Sequence, residues 1–319
     1  MLPEMTSKPM GPWPSSSSSS EFGQSVLSRR QALALCVAPA ASILTSACKS
    51  MGREILDMPA PPADVRLRYG PDPLQFGDLR MPHGPGPHPL AIVAHGGFWR
   101  AKYNLEHTGH LCAALARAGI ATWNLEYRRL GNPGGGWPGT FQDVAAGADH
   151  VRQFAAKYQL DLKNMLSLGH SAGGHLAVWL AARHRIPPAD PLASPNPIAL
   201  HGAVSLAGVL DLRRAWEMRL SDGIVEELLG GPPDKLPQRY HTASPIELVP
   251  LGLPTKMLHG TEDSVVPIEI SNTYQKAANR VGDVARLVVV PGADHFALID
   301  PRSEHWPTVE KTVRAMASL

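Results

Sequence analysis

The chain is 319 residues long and 44% apolar, enough for one large domain or two small ones around a substantial core. Charged residues make up 18% and the formal net charge is +2, with no basic run in the body of the chain, which leaves no electrostatic case for nucleic acid. Of the three cysteines, Cys36 and Cys48 fall in an N-terminal segment read below as processed; Cys112 is left alone in an apolar helical run, so no internal disulfide is expected there and the thiol reads as a small buried hydrophobe.

Residues 1–25 hold a serine run from Ser15 to Ser20 after several prolines, a composition that cannot build a core. Arg29 and Arg30 then precede an apolar stretch, Ala32 to Leu44. At about thirteen residues it falls short of the roughly 20 that span a membrane. An arginine pair before a moderately apolar run resembles a twin-arginine export signal. The segment ends Leu44-Thr-Ser-Ala-Cys48, which resembles a bacterial lipoprotein cleavage site with Cys48 as the lipidated residue. The expected organisation is an export-signal region over 1–47, a linker over 48–63 and one domain over 64–319. The expected location is outside the cytoplasm, periplasmic or held at the envelope by the lipid on Cys48.

Strand-like and helix-like patterns then alternate. Asp64 to Tyr69 and Leu74 to Leu79 read as an antiparallel pair across the turn Gly70-Pro-Asp-Pro73. Leu90 to Ala94 is a continuous apolar run, the mark of a buried central strand. Further strands are expected at Ala121–Leu125, Met165–Leu168, Ala203–Leu206, Thr255–Leu258 and Ala285–Val290. Helices are expected at Glu106–Ala118, Thr140–Tyr158, Ala172–Arg183, Ile268–Val281 and Ser303–Ala317. This alternation predicts an α/β fold, a mostly parallel sheet flanked by helices on both faces. Residues 211–250, with Pro232, Pro233, Pro237, Pro245 and Pro250, break the rhythm and read as an insertion over the sheet's carboxyl edge.

Four motifs follow predicted strands. Gly169-His-Ser171-Ala-Gly173 fits G-x-S-x-G, in which a serine sits on a sharp strand-to-helix turn and glycines let neighbouring backbone approach. His95-Gly96-Gly97-Phe98-Trp99 offers backbone N–H groups to an oxyanion, from Gly97 and Ala172, with Gly96 or Phe98 as the third. His259-Gly-Thr-Glu-Asp263 supplies the acid, Asp263, with Glu262 as its neighbour. Pro291-Gly-Ala-Asp-His295 supplies the base, His295, with His305 as rival. The chain order oxyanion loop, Ser, Asp, His is the one such a fold requires.

On these residues the chain resembles the α/β-hydrolases over 64–319, in the branch of carboxylesterases, feruloyl-esterase-like proteins and arylformamidases. The His95-to-Trp99 motif is similar to that of kynurenine formamidase, and Ser171-Ala-Gly-Gly-His-Leu176 also fits that branch. The resemblance implies a serine hydrolase acting on a small-molecule acyl ester through an acyl-enzyme, with Ser171, His295 and Asp263 as its triad and no cofactor. The alternatives are an arylformamidase and a non-catalytic hydrolase-fold binding protein. Trp99, Tyr127, Trp137 and His170 are expected as substrate-binding residues. Gly131-to-Gly139 has no following Lys-Ser/Thr and is not a phosphate loop. No zinc spacing is found; His107 and His110 are read as solvated helix residues.

Overall fold

Short apolar runs separated by helix-forming segments build an eight-stranded sheet in the computed structural model, which describes residues 53–317. The export and lipidation readings of residues 1–47 and of Cys48 lie outside the described residues. The strands are β1 (Val65–Arg68), β2 (Phe76–Arg80), β3 (His88–Ala94), β4 (Ala121–Leu125), β5 (Leu160–His170), β6 (Gly202–Leu206), β7 (Thr255–Gly260) and β8 (Ala285–Val290). Their spatial order is β1-β2-β4-β3-β5-β6-β7-β8. β1 pairs antiparallel with β2, and β2 with β4; every later pairing is parallel. All the later loops that carry the four motifs therefore leave the same edge of the sheet.

The helices are α1 (Gly109–Arg117), α2 (Gly139–Asp149), α3 (Val151–Phe154), α4 (Ala172–Ala182), α5 (Leu212–Glu217), α6 (Leu220–Leu229), α7 (Pro237–Ala243), α8 (Ile268–Arg280) and α9 (Trp306–Met316). Successive strand side chains point to opposite faces, so Leu90, Ile92 and Ala94 join one core while Ala91 and Val93 join the other. The first core takes residues from α2, α4 and α8 and from the 211–250 segment; the second takes α1 and α9. All eleven residues of α4 are buried, as expected of a helix apolar on every side.

Differences from the expected elements have local causes. β5 begins at Leu160 because Leu160 and Asp161 pair with His88 and Pro89 before a bulge; the intervening Leu162 and Lys163 are exposed and carry no strand pattern. The helix expected over 140–158 divides at His150 into α2 and the single turn α3, where the Asp149 carboxylate takes Arg183 and the Ile198 N–H. α9 starts later than expected, with Pro307 in its first turn, where a missing N–H costs nothing. Within the expected linker, Arg53–Leu56 form a short 3-10 turn that buries Ile55 in the second core. No helix among the described residues is long and apolar enough to cross a membrane.

Candidate active site

β5 ends at His170 and α4 begins at Ala172, so Ser171 takes the whole reversal, with φ 56° and ψ −123°. A non-glycine residue there stores roughly 1–3 kcal/mol of strain. The turn is held by the Ser171 N–H donating to Leu206 O at 2.8 Å. It closes only because Gly173 lacks a Cβ: one there would collide with the Ala94 carbonyl oxygen. Ser171 is nearly buried, and its hydroxyl has no hydrogen-bond partner among the described residues.

The loops after β7 and β8 meet each other, and the second reaches the residue before the serine, the His295 carbonyl oxygen lying 2.8 Å from His170 Nε2. His295 Nδ1 lies 2.7 Å from Asp263 Oδ2, with both side chains almost wholly buried. Asp263 Oδ1 accepts from the Val265 and Val266 N–H groups, each at 2.8 Å. His259 Nε2 lies 3.3 Å from the same carboxylate. Burial pushes the Asp263 carboxyl up, but the bonds from His259, His295 and the backbone outweigh it and hold the group well below the usual carboxylate range. A carboxylate can only accept, so His295 carries its proton on Nδ1. Its Nε2 makes no hydrogen bond among the described residues. Glu262, the neighbouring acid, is exposed.

The loop after β3 carries three consecutive left-handed residues, Gly97 (φ 109°), Phe98 (φ 51°) and Trp99 (φ 53°). A Cβ on Gly97 would sit 2.5 Å from the Tyr103 side chain. Among the described residues, the N–H groups of Gly97, Phe98 and Ala172 donate to no protein acceptor. Beneath this loop lies a buried polar cluster absent from the sequence reading. Glu126 accepts from Arg129, from the Tyr127 N–H at 3.1 Å and from the Leu105 N–H at 3.1 Å, and lies 3.3 Å from His95 Nε2. His95 also engages Gly96 O through Nδ1 at 2.8 Å. Burial raises the Glu126 carboxyl, but His95, Arg129 and the backbone donor bring it below its ordinary value.

Three of the four expected substrate-binding residues are corrected. Trp99, Tyr127 and His170 are fully buried, with side chains taken up by protein partners. Tyr127 stacks on His95 at 4.3 Å and donates its hydroxyl to His95 O at 2.7 Å. Trp99 packs edge-on against His175. Trp137 is half-buried beside Phe141, with the Arg239 guanidinium 5.6 Å over its ring. His107 is a second correction: it is buried, with Nε2 at 2.7 Å from His170 Nδ1. Cys112 is fully buried, which pushes its thiol up to about 12. Among the described residues, no group of three or more His, Cys, Asp or Glu side chains is arranged to hold a metal ion.

The expected insertion spans α5 to α7 and packs on α4. His175 Nε2 donates to Ala243 O at 2.8 Å and Trp179 Nε1 to Thr242 O at 2.9 Å. From its other side, Leu228 O accepts from the Trp137 N–H, and Ser221 O from Arg100 at 3.1 Å.

The family model described as BD-FAE matches residues 78–277, well over half of the chain. Among curated proteins, a probable isoprenylcysteine alpha-carbonyl methylesterase of Arabidopsis thaliana is 26% identical over 72% of this chain and 50% of its own length. A second, from Oryza sativa subsp. japonica, is 25% identical over 71% of this chain and 56% of its own length. The chain thus spans about half the length of the curated relatives it matches. Among solved structures, esterase B from Lactobacillus rhamnosis superposes with a TM-score of 0.69 at 21% identity, covering 87% of this chain and 95% of the other. A truncated carbohydrate esterase from gut microbiota gives 0.67 at 22% identity, covering 81% and 99%. These likenesses bear on the fold, an α/β-hydrolase with a mostly parallel open sheet.

Proposed function

We propose a reaction for this chain, which belongs to the BD-FAE family and is an esterase-like α/β-hydrolase: hydrolysis of a carboxylic ester by Ser171, His295 and Asp263 through an acyl-enzyme. The observation that carries it is the state of His295. Its Nδ1 is tied to Asp263 while its Nε2 has no partner among the described residues, and its ring lies 4.4 Å from that of His170, the residue that precedes a serine on a strained turn. In this reading His295 Nε2 takes the Ser171 proton as the hydroxyl oxygen attacks the acyl carbon. It then returns the proton to the departing alcohol. A water activated in the same way releases the acid and restores the serine. The N–H groups of Gly97, Phe98 and Ala172 receive the oxyanion, each contributing on the order of 3 kcal/mol. Asp263 holds the tautomer and stabilises the imidazolium.

The test is hydrolysis of p-nitrophenyl esters of short and long acids, methyl esters, a feruloyl ester and N-formylkynurenine by residues 49–319. Ser171→Ala is the control. Ester turnover and Ser171 labelling by a fluorophosphonate, both lost in the variant, are expected; turnover undiminished in Ser171→Ala would sink the assignment. Turnover of the formamide alone would move the reading to a formamidase. Export through residues 1–47 with lipidation at Cys48 belongs to the same proposal. Cys48→Ser should release the full-length chain from the membrane fraction with its activity intact, and unchanged fractionation would remove the lipid anchor.

A further inference from the structure

We propose that His107 and His170 form a directional hydrogen-bond strut that positions His295 and the oxyanion loop relative to each other; its kinetic consequence rests on the esterase reading above, its geometry does not. His170 Nε2 lies 2.8 Å from the His295 carbonyl oxygen. A carbonyl only accepts, so that nitrogen carries the proton. His170 Nδ1 is therefore bare and accepts from His107 Nε2 at 2.7 Å. The polarity of the whole chain is fixed, and it leaves His107 Nδ1 without a proton. That atom is buried with no partner among the described residues, a tolerable place for a bare nitrogen and a poor one for an unsatisfied N–H. Burial, followed by the neighbouring histidines, pushes both imidazoles well below their ordinary range. The pair therefore stays neutral beside a ring that becomes cationic during turnover.

The strut touches three parts of the site at once. His170 precedes the nucleophile, and its ring centroid lies 4.4 Å from that of His295. A Cβ on Gly96 would lie 2.8 Å from His170 O and 2.9 Å from His107 Nε2, so the two histidines clasp the first glycine of the oxyanion loop. His107 is delivered by the 3-10 turn Leu105–Thr108, which Asn104 caps and Glu126 tethers through the Leu105 N–H. Catalysis by a base and an oxyanion hole needs their separation held to a fraction of an ångström; misplacement by about 1 Å can cost roughly 100-fold.

Two readouts on the full chain test this. Long-range 1H–15N spectra at pH 7 should show both residues neutral with the proton on Nε2. A cationic ring, or an Nδ1–H tautomer at either residue, would overturn the strut whether or not the protein is an esterase. The second readout is p-nitrophenyl acetate kinetics. His107→Met, which fills the space without a donor, should lower kcat by about tenfold or more with KM within about twofold. His107→Gln, whose amide can donate to His170, should recover kcat to within about threefold of the parent. Parental kcat in His107→Met, or equal loss in both variants, would overturn the proposal. A parent that turns over no ester ends the esterase reading, and the spectra alone then decide the strut.

Discussion

Asp263 and Glu126 are built almost alike. Each lies just beyond the carboxyl end of a strand, is buried, accepts two backbone N–H groups and faces a histidine. They differ in what the histidine has left over. His95, opposite Glu126, has both ring nitrogens engaged, by Gly96 O and by the Glu126–Arg129 pair. His295, opposite Asp263, has one nitrogen engaged and one without a partner among the described residues. A buried carboxylate–histidine pair thus becomes a catalytic candidate only where one nitrogen is spare; where none is, it braces a loop. The guanidinium of Arg129 marks the same divide, because a fixed cation next to Glu126 makes that cluster a closed ion pair.

The largest expected effect separates the two carboxylates by activity. Asp263→Asn keeps an acceptor for Val265 and Val266 but turns an amide N–H₂ toward His295, favouring the tautomer that cannot take the serine proton. We expect kcat to fall on the order of 10⁴-fold in ester assays, with the native fold retained by circular dichroism. A loss of only a few fold would place the acid elsewhere. Glu126→Gln should do the reverse. It strands the buried Arg129 charge, so unfolding in urea should show a loss of about 3–5 kcal/mol, while the folded fraction keeps kcat within a few fold. Equal damage to activity would erase the distinction.

Acid sharpens it further. His107 and His170 are held well below their ordinary range and His175 at about 4, burial being the first cause in each. Such groups stay neutral in the folded chain while the unfolded chain gains protons below pH about 6.5. The stability they contribute is full above that value and is lost as pH falls, by at most about 1.4 kcal/mol per pH unit for each. Asp263 and Glu126 are also depressed, so their contribution persists to about pH 4 and is lost only below it. Urea midpoints should decline between pH 6.5 and 4.5, before either carboxylate titrates; a flat profile there would refute the neutral histidines. The smallest expected effect is at Glu262. It is exposed beside the acid, and Glu262→Gln should leave stability within about 0.5 kcal/mol and kcat unaltered.

The strand order could not be read from the chain, but the strands themselves could. Ala121–Leu125 and Ala285–Val290 match residue for residue, because their apolar runs are bounded by turn residues. The pairing of Asp263 with His295 was legible because each lies in a local motif that follows a strand. What escaped depends on long-range partners. Arg128 and Arg129 are adjacent and chemically identical, yet one, partly exposed, pairs with the buried Asp143 and the other is itself buried on Glu126. Glu126, directly after a strand and followed by two arginines, was the available signal. His107 reads as a polar residue near a helix start; its burial comes from His170, 63 positions away. Trp99 and Tyr127 read as substrate-binding residues from the chain alone, because aromatics near a site are ambiguous until their accessibility is known.

The anchoring of the 211–250 segment carries a consequence for how this protein can change. Ala243, Thr242 and Leu228 hold it in place with main-chain carbonyls, met by His175, Trp179 and the Trp137 N–H. A carbonyl is the same whatever side chain it bears. The clasps therefore constrain the scaffold whatever the sequence at those positions; the side chains that the segment buries in the first core are fixed by packing, and its exposed ones are left free to drift. The fold keeps its hydrolase frame as a fixed socket, into which differently lettered segments of the same backbone shape can be fitted.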